Sequence, residues 1–251
     1  MPKSFSITDI GLRREMNQDY IYSSDLPLGS LSCLYLVADG MGGHRAGDLA
    51  SKLTVEIVVN EVSAPDAKKD PEELLRDAFR TANTRIRETA AGHIEYYGMG
   101  TTLVGCTICG DELLVANVGD SRLYNYKDGF RQITVDHSLV EEMVRAGTLD
   151  RKMARIHPER NVITRAIGAE DHIEVDFFRI PLDECGLILM CSDGLTSMID
   201  DMEIESVLSG DTTLEEKAGI LVALANRAGG KDNISIILID TSQDKNGTDV
   251  L

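Results

Sequence analysis

The chain has 251 residues, 43% of them hydrophobic, and a formal net charge of −17 from 42 acidic and 25 basic side chains. That length and apolar fraction suit one layered domain with a large core, and no window approaches the roughly eighteen uninterrupted apolar residues of a membrane span. The acidic surface disfavours nucleic-acid phosphates and anionic membranes, and the opening "MPKSFSITDIG" lacks the apolar stretch of a secretion signal, which makes the cytoplasm the expected location.

In chain order, "MNQDYIY" sets Asp19 ahead of a predicted strand. In "LYLVADGMGGHRAGDLAS" an apolar run stops at Asp39, three glycines follow within four positions, and a helix begins. Helical periodicity covers 46–62, through Leu49, Leu53, Ile57 and Val58, and 72–91, through Leu74, Leu75, Ala78, Phe79, Ala82 and Ile86. Asp70 is a good N-cap for the second helix and Pro71 a good first residue. The two are expected to pack as an antiparallel pair.

The middle reads differently. "MGTTLVGCTICG", "ELLVANVGD", "SRLYNYKDG" and "FRQITV" are short apolar runs, and "CGDE" and "KDGF" between them are hairpin signals. This is an antiparallel meander. Residues 138–167 are polar and partly helical, an excursion over the surface. "IEVDFFRI" (173–180) and "CGLILMCSD" read as strands, 214–225 as a helix, "NISIILI" as the last strand and 241–251 as a frayed polar tail. The expected class is α+β, a single domain over 1–251 with two sheets face to face and helices outside. The five cysteines, Cys33, Cys106, Cys109, Cys185 and Cys191, read as reduced core thiols. The C-x-x-C in "GCTICG" lies in a strand, where positions three apart face opposite sides, so it is not read as a zinc pair.

One pattern recurs. Asp39, Asp120 and Asp193 each follow an apolar run, and Asp19 and Asp232 each precede one. A single such Asp is a turn or cap residue. Strand ends in packed sheets converge at one edge, and five carboxylates brought together there would repel unless something positive sat among them. Oxygen ligands without a His or Cys set favour magnesium or manganese over zinc. Gly40 permits a close backbone approach, so that its carbonyl can face a metal, and Gly42 and Gly43 make room for a bulky substrate. Two such ions activate a bridging water and stabilise in-line displacement at phosphorus. Arginine is the side chain suited to holding the phosphate oxygens, and "GLRREMNQD" offers Arg13 and Arg14.

Together "GLRREMNQD", "VADGMGGHRAGDLAS", "MGTTLV", "VGDSR", "DHS", "CSDGLT" and "GGKDNIS" resemble, in order and over residues 5–240, the bacterial metal-dependent Ser/Thr protein phosphatases of type 2C, the PPM family. The resemblance implies a four-layer sandwich of two antiparallel sheets flanked by helix pairs. It implies two tightly bound Mn2+ or Mg2+ ions and a weaker third. Asp39 would bridge the pair, Gly40 would give its carbonyl, Asp193 and Asp232 would complete the first ion, and Asp19 would act through metal-bound water. Asp120 would bind the third ion with Asp193. Arg14, five residues before Asp19, aligns with the phosphate-binding arginine, and 138–167 becomes a flap beside the site. Animal members carry a histidine, often assigned as general acid, where this chain has Met41. His44 and His137 are each read as structural or flap-related, which leaves a metal-bound water to supply the proton.

The expected function is hydrolysis of phosphoserine and phosphothreonine on proteins by a monomeric cytoplasmic enzyme of bacterial signal transduction. Its partners would be Ser/Thr kinases and their substrates. The alternatives are a metal-dependent phosphodiesterase or nuclease, and a catalytically dead relative that binds phosphopeptides. The first needs a basic track that a charge of −17 argues against. The second usually comes with lost carboxylates, and all are present here.

Overall fold

The computed structural model describes residues 1–42, 46–64 and 69–242. Strands β1 (Lys3–Asp9), β2 (Asp19–Ser24) and β3 (Leu34–Met41) lead into helices α1 (Ala46–Ser63) and α2 (Pro71–Gly92). The meander follows as β4 (Gly100–Thr101), β5 (Leu103–Cys109), β6 (Glu112–Val118), β7 (Arg122–Tyr126) and β8 (Phe130–Gln132). The surface excursion holds α3 (Leu139–Arg145) and α4 (Arg151–Ala154). It returns to β9 (Asp176–Pro181), β10 (Leu187–Cys191), α5 (Asp193–Thr196), α6 (Asp201–Leu208), α7 (Leu214–Arg227) and β11 (Ile234–Asp240).

The strands form two antiparallel sheets. One runs β1-β11-β10-β7-β8; the other runs β2-β3-β5-β6-β9, with β4 paired to β3. Because side chains alternate across a strand, β3 feeds two cores at once. Leu34, Leu36 and Ala38 face α1 and α2, among Val55, Leu75 and Phe79. Tyr35 and Val37 face the other sheet, among Cys106, Met190 and Ile237. A third core lies between β10–β11 and the helices α5 to α7, around Leu189, Leu195, Leu221 and Leu238. The result is the expected four layers. Strands covered on both faces read as unbroken apolar runs, which is why "LYLVA" and "ISIILI" show no alternation.

Local chemistry sets the boundaries. Asp70 accepts the amide of Glu72 at 3.1 Å and Pro71 opens α2, as expected. Thr213 with Glu216 caps α7 in a reciprocal box. Three boundaries differ from the sequence reading. Strand β3 runs two residues past Asp39, because Gly40 and Met41 pair with Thr101 and Gly100 of β4. The strand expected over 173–180 begins only at Asp176, where pairing with β6 starts at Asn117. Helix α6 is absent from the expected elements, although Asp200 and Glu203 form its capping box. The cysteines are all free; Cys109 is partly exposed and the other four are buried. His44, Gly43 and the tail from residue 243 lie outside the described residues.

Candidate active site

The inter-sheet core changes character at one end. Along β3 the inward face reads Tyr35, Val37, Asp39. Asp19 of β2 stands directly opposite Asp39 in the antiparallel register, so two carboxylates form a like-charged cross-strand pair. From the facing sheet, Ser192 after β10 and Ser235 of β11 continue the polar layer: Ser192 Oγ donates to Asp19 Oδ2 at 2.7 Å and accepts the Ser235 amide at 3.0 Å. Asp19 is 5% exposed, and its other oxygen, Oδ1, is buried without a partner.

Asp193 opens α5, Asp120 follows β6 and Asp232 precedes β11, so all five carboxylates predicted to converge do so. The electrostatics record it. Burial pushes Asp19 up to about 7, against hydrogen bonds from Ser192 and Ser235 and with repulsion from Asp193 and Asp232 adding to it. Burial pushes Asp193 up to about 6, with Asp232 contributing. Asp39 is driven well above the carboxylate range by burial and then by Asp19, Asp193, Asp120 and Asp232. Asp120 rises for burial and for Asp193 and Asp136, with Arg122 opposing.

Arg14 is held beside this cluster and Arg13 is not. Asn233 anchors the loop before β2: its Oδ1 accepts the Gln18 amide at 2.8 Å, and its Nδ2 donates to the carbonyls of Ile10 and Met16 at 2.9 and 3.0 Å. The Leu12 and Arg13 amides both donate to the Gly230 carbonyl. From that loop Arg14 Nη2 reaches Asp232 Oδ2 at 2.7 Å.

Gly40 is required sterically. A Cβ there would lie 2.0 Å from the carbonyl oxygen of Gly47 in α1 and 2.7 Å from that of Gln18. Asp39 itself is fixed through its backbone. Its amide donates to Thr102 Oγ1 at 3.0 Å, and its carbonyl accepts the Thr102 amide and the Thr101 hydroxyl. Thr102 Oγ1 also shares a 2.7 Å hydrogen bond with Ser121 Oγ, next to Asp120. Thr102, Ser121, Ser192 and Asn233 were not singled out in the sequence, yet each stands inside a quoted motif: "MGTTLV", "VGDSR", "CSDGLT" or "GGKDNIS". Arg122 was also missed; it grips Asp136 with Nε and Nη2 at 2.9 and 2.7 Å. A cavity of about 170 Å3 opens between Asp120 and Asp193 on one side and Arg151, Arg155 and Arg160 of the excursion on the other.

The donor set fits hard divalent cations. It offers oxygens only, one buried carboxylate oxygen lacks a partner, and the mutual repulsion is of the kind that a bound positive charge relieves. Among the described residues no group of three or more His, Cys, Asp or Glu side chains is placed so that it could hold a metal ion as it stands. His137, weighed as a proton donor, is 7% exposed and has both ring nitrogens engaged, Nδ1 by the Gly119 amide at 2.9 Å and Nε2 by Asp176 at 3.1 Å.

The family model described as Protein phosphatase 2C matches residues 13–222. The serine/threonine phosphatase stp of Listeria monocytogenes is 40% identical over 220 residues, 86% of this chain and 87% of its own. Serine/threonine phosphatase Stp1 from Staphylococcus aureus superposes with a TM-score of 0.89 at 33% identity, covering 96% of this chain and 95% of that one. The catalytic domain of the phosphatase PstP, solved with 2 manganese ions, superposes with a TM-score of 0.83 at 30% identity, covering 95% and 97%.

Proposed function

Because the chain belongs to the protein phosphatase 2C family and is a bacterial Ser/Thr protein phosphatase, we propose that its acidic cleft is the place where phosphoserine and phosphothreonine of other proteins are hydrolysed. The observation that carries this is the buried Asp19–Asp39 pair, surrounded by Asp120, Asp193 and Asp232, with Arg14 at its rim.

Phosphatases of this family are metal-dependent. Asp39, Asp193, Asp232 and the Gly40 carbonyl would hold two ions, Asp120 with Asp193 a third, and Asp19 would act at one remove. When bound, divalent cations supply Lewis acidity and a nucleophile at neutral pH for displacement at phosphorus. The protein's own groups do the rest. Arg14 binds phosphate oxygens through its planar fork of donors. Thr102 and Ser192 fix Asp39 and Asp19, so that the carboxylates need not reorganise during reaction. Gly40 lets the start of α1 approach the site. His137 does not donate a proton to substrate, since neither ring nitrogen faces the cleft free of a partner.

Residues 138–167 are the flap. Its arginines line the cavity beside Asp120 and Asp193, where a phosphoprotein segment would enter. The partners are phosphoproteins, including Ser/Thr kinases and their substrates, met by a cytoplasmic monomer of a single domain. No helix among the described residues is long and apolar enough to cross a membrane. The test is manganese-dependent phosphate release from a phosphothreonine peptide, with a single-stranded DNA substrate alongside. The expected result is phosphate release that EDTA stops and Asp39→Asn removes, with the DNA uncut. Release unchanged in Asp39→Asn would place the chemistry elsewhere.

A further inference from the structure

We propose that His137 is a positioning residue, locked as its Nε2–H tautomer, that joins the loop carrying Asp120 to both ends of the flap; the inference rests on the phosphatase reading of the site. A backbone N–H can only donate. The 2.9 Å contact from the Gly119 amide to Nδ1 therefore leaves Nδ1 unprotonated and puts the ring proton on Nε2. Nε2 then donates to Asp176 Oδ2 at 3.1 Å. Arg165 Nη1 donates to Asp176 Oδ1 at 2.7 Å and to the Glu174 carbonyl at 3.2 Å. It also lies 3.1 Å from Nε2, where no acceptor remains for it.

The backbone of His137 completes the joint. Its amide donates to the Gly119 carbonyl at 3.0 Å, and its carbonyl accepts the Thr164 amide at 2.8 Å. Asn117, across the sheet from Asp176, donates to the same Gly119 carbonyl and to Val135. Ser138 pairs with Ile163, and the Leu139 amide donates to Val162. The flap thus leaves the body beside this imidazole at Ser138 and comes back to it at Thr164, three residues before Ile167 pairs with Thr101. On its other side Asp120 is flanked by Ser121, which Thr102 ties to Asp39. Gly119 has φ +109, and a Cβ would lie 2.6 Å from Thr102. The Asp120 backbone is therefore held from both neighbours, by His137 before it and Thr102 after it.

The charge state agrees with the geometry. Burial pushes the His137 imidazole below its usual range, outweighing the pull of Asp176. Burial alone would raise Asp176, but the hydrogen bonds from His137 and Arg165 outweigh it and hold the carboxyl below its ordinary value. A neutral ring donating to an ionised carboxylate orients its other nitrogen, as outer partners of site ligands commonly do.

Three variants and one spectrum test this. In His137→Asn the amide oxygen occupies the place of Nδ1 and can still accept from Gly119; in His137→Gln it cannot. His137→Ala should lower kcat on a phosphothreonine peptide about tenfold or more with KM little changed, and His137→Asn should recover most of the loss while His137→Gln does not. Added to Asp120→Ala, His137→Ala should cost less than about twofold, because both act through one element. Equal losses in the two backgrounds, or rescue by Gln rather than Asn, would overturn the proposal. Imidazole 15N shifts of the unaltered protein should report a protonated Nε2 and a bare Nδ1; the opposite tautomer also overturns it. That spectrum needs no turnover, so a failed phosphatase assay and a failed tautomer assignment are separate results.

Discussion

Arg14 Nη2 donates to Asp232 Oδ2 across 2.7 Å, so the guanidinium proposed to hold phosphate is paired with a carboxylate proposed to hold a cation. The two roles share one oxygen. A cation bound at Oδ2 would weaken the ion pair and leave the guanidinium freer to meet a phosphate, and a guanidinium that keeps Oδ2 would weaken the hold on a cation.

Replacing Arg14 should therefore act on two quantities in opposite directions. Arg14→Ala should raise KM for a small aryl phosphate by roughly ten- to hundredfold, the value of a hydrogen bond to a charged group. It should also tighten manganese binding measured by calorimetry, because a competing positive charge is gone. Arg13→Ala should do little to either. A larger KM effect at Arg13 would show that Arg13, not Arg14, holds the phosphate.

The Asp19–Asp39 pair makes activity and stability diverge. Asp39→Asn should reduce kcat by roughly two orders of magnitude or more. In EDTA the same variant should be more stable than the parent by on the order of 1 kcal/mol, since it removes a buried carboxyl that must either ionise opposite Asp19 or take up a proton to avoid it. Denaturant titration of both proteins reads this directly.

The pH dependence without metal follows in sign. Asp19 near 7 and Asp193 near 6 bind protons in the folded state that the unfolded chain, with carboxylates near 4, has already lost. Their stabilisation is present below about pH 4 and is lost as pH rises through 6 and 7. His137, held below its usual range, has the opposite slope: stability falls as pH drops through about 6.5. Several carboxylates outweigh one imidazole, so melting temperature in EDTA should fall from pH 5 to pH 8. Asp39→Asn should flatten the curve. A rising curve would mean that the cluster is not buried in solution.

Gly40→Ala should be inactive and destabilised by about 1–3 kcal/mol, because both atoms that the new methyl meets are backbone. Thermal melting and the manganese assay separate the two effects. An active, fully stable Gly40→Ala would show that α1 can retreat from β3.

Much of this was legible in the sequence for identifiable reasons. Asp70-Pro71 and the periodic stripes of α1 and α2 are local signals, as are "CGDE" and "KDGF". The five aspartates stood out because carboxylates beside apolar runs are conspicuous. What stayed hidden depends on distant partners. The imidazole of His137 meets Asp176, 39 residues away, and Ser192 meets Asp19 across 173; no periodicity links such positions. Arg122 looked like an ordinary strand residue, since its carboxylate, Asp136, comes from the far side of a hairpin. The end of β3 was misread because Asp39 resembles a stop, whereas β4, a two-residue strand with almost no pattern of its own, carries the pairing onward.

The like-charged pair opposite one another on β2 and β3 also bears on how such a chain drifts under selection. A screen for heat resistance run in chelator rewards whatever removes Asp19 or Asp39, so its winners would be inactive. The same screen with manganese present would penalise those changes, since an ion held by these carboxylates would stabilise only the chain that keeps them. The cation in the medium thus decides whether robustness and catalysis are selected together or against each other.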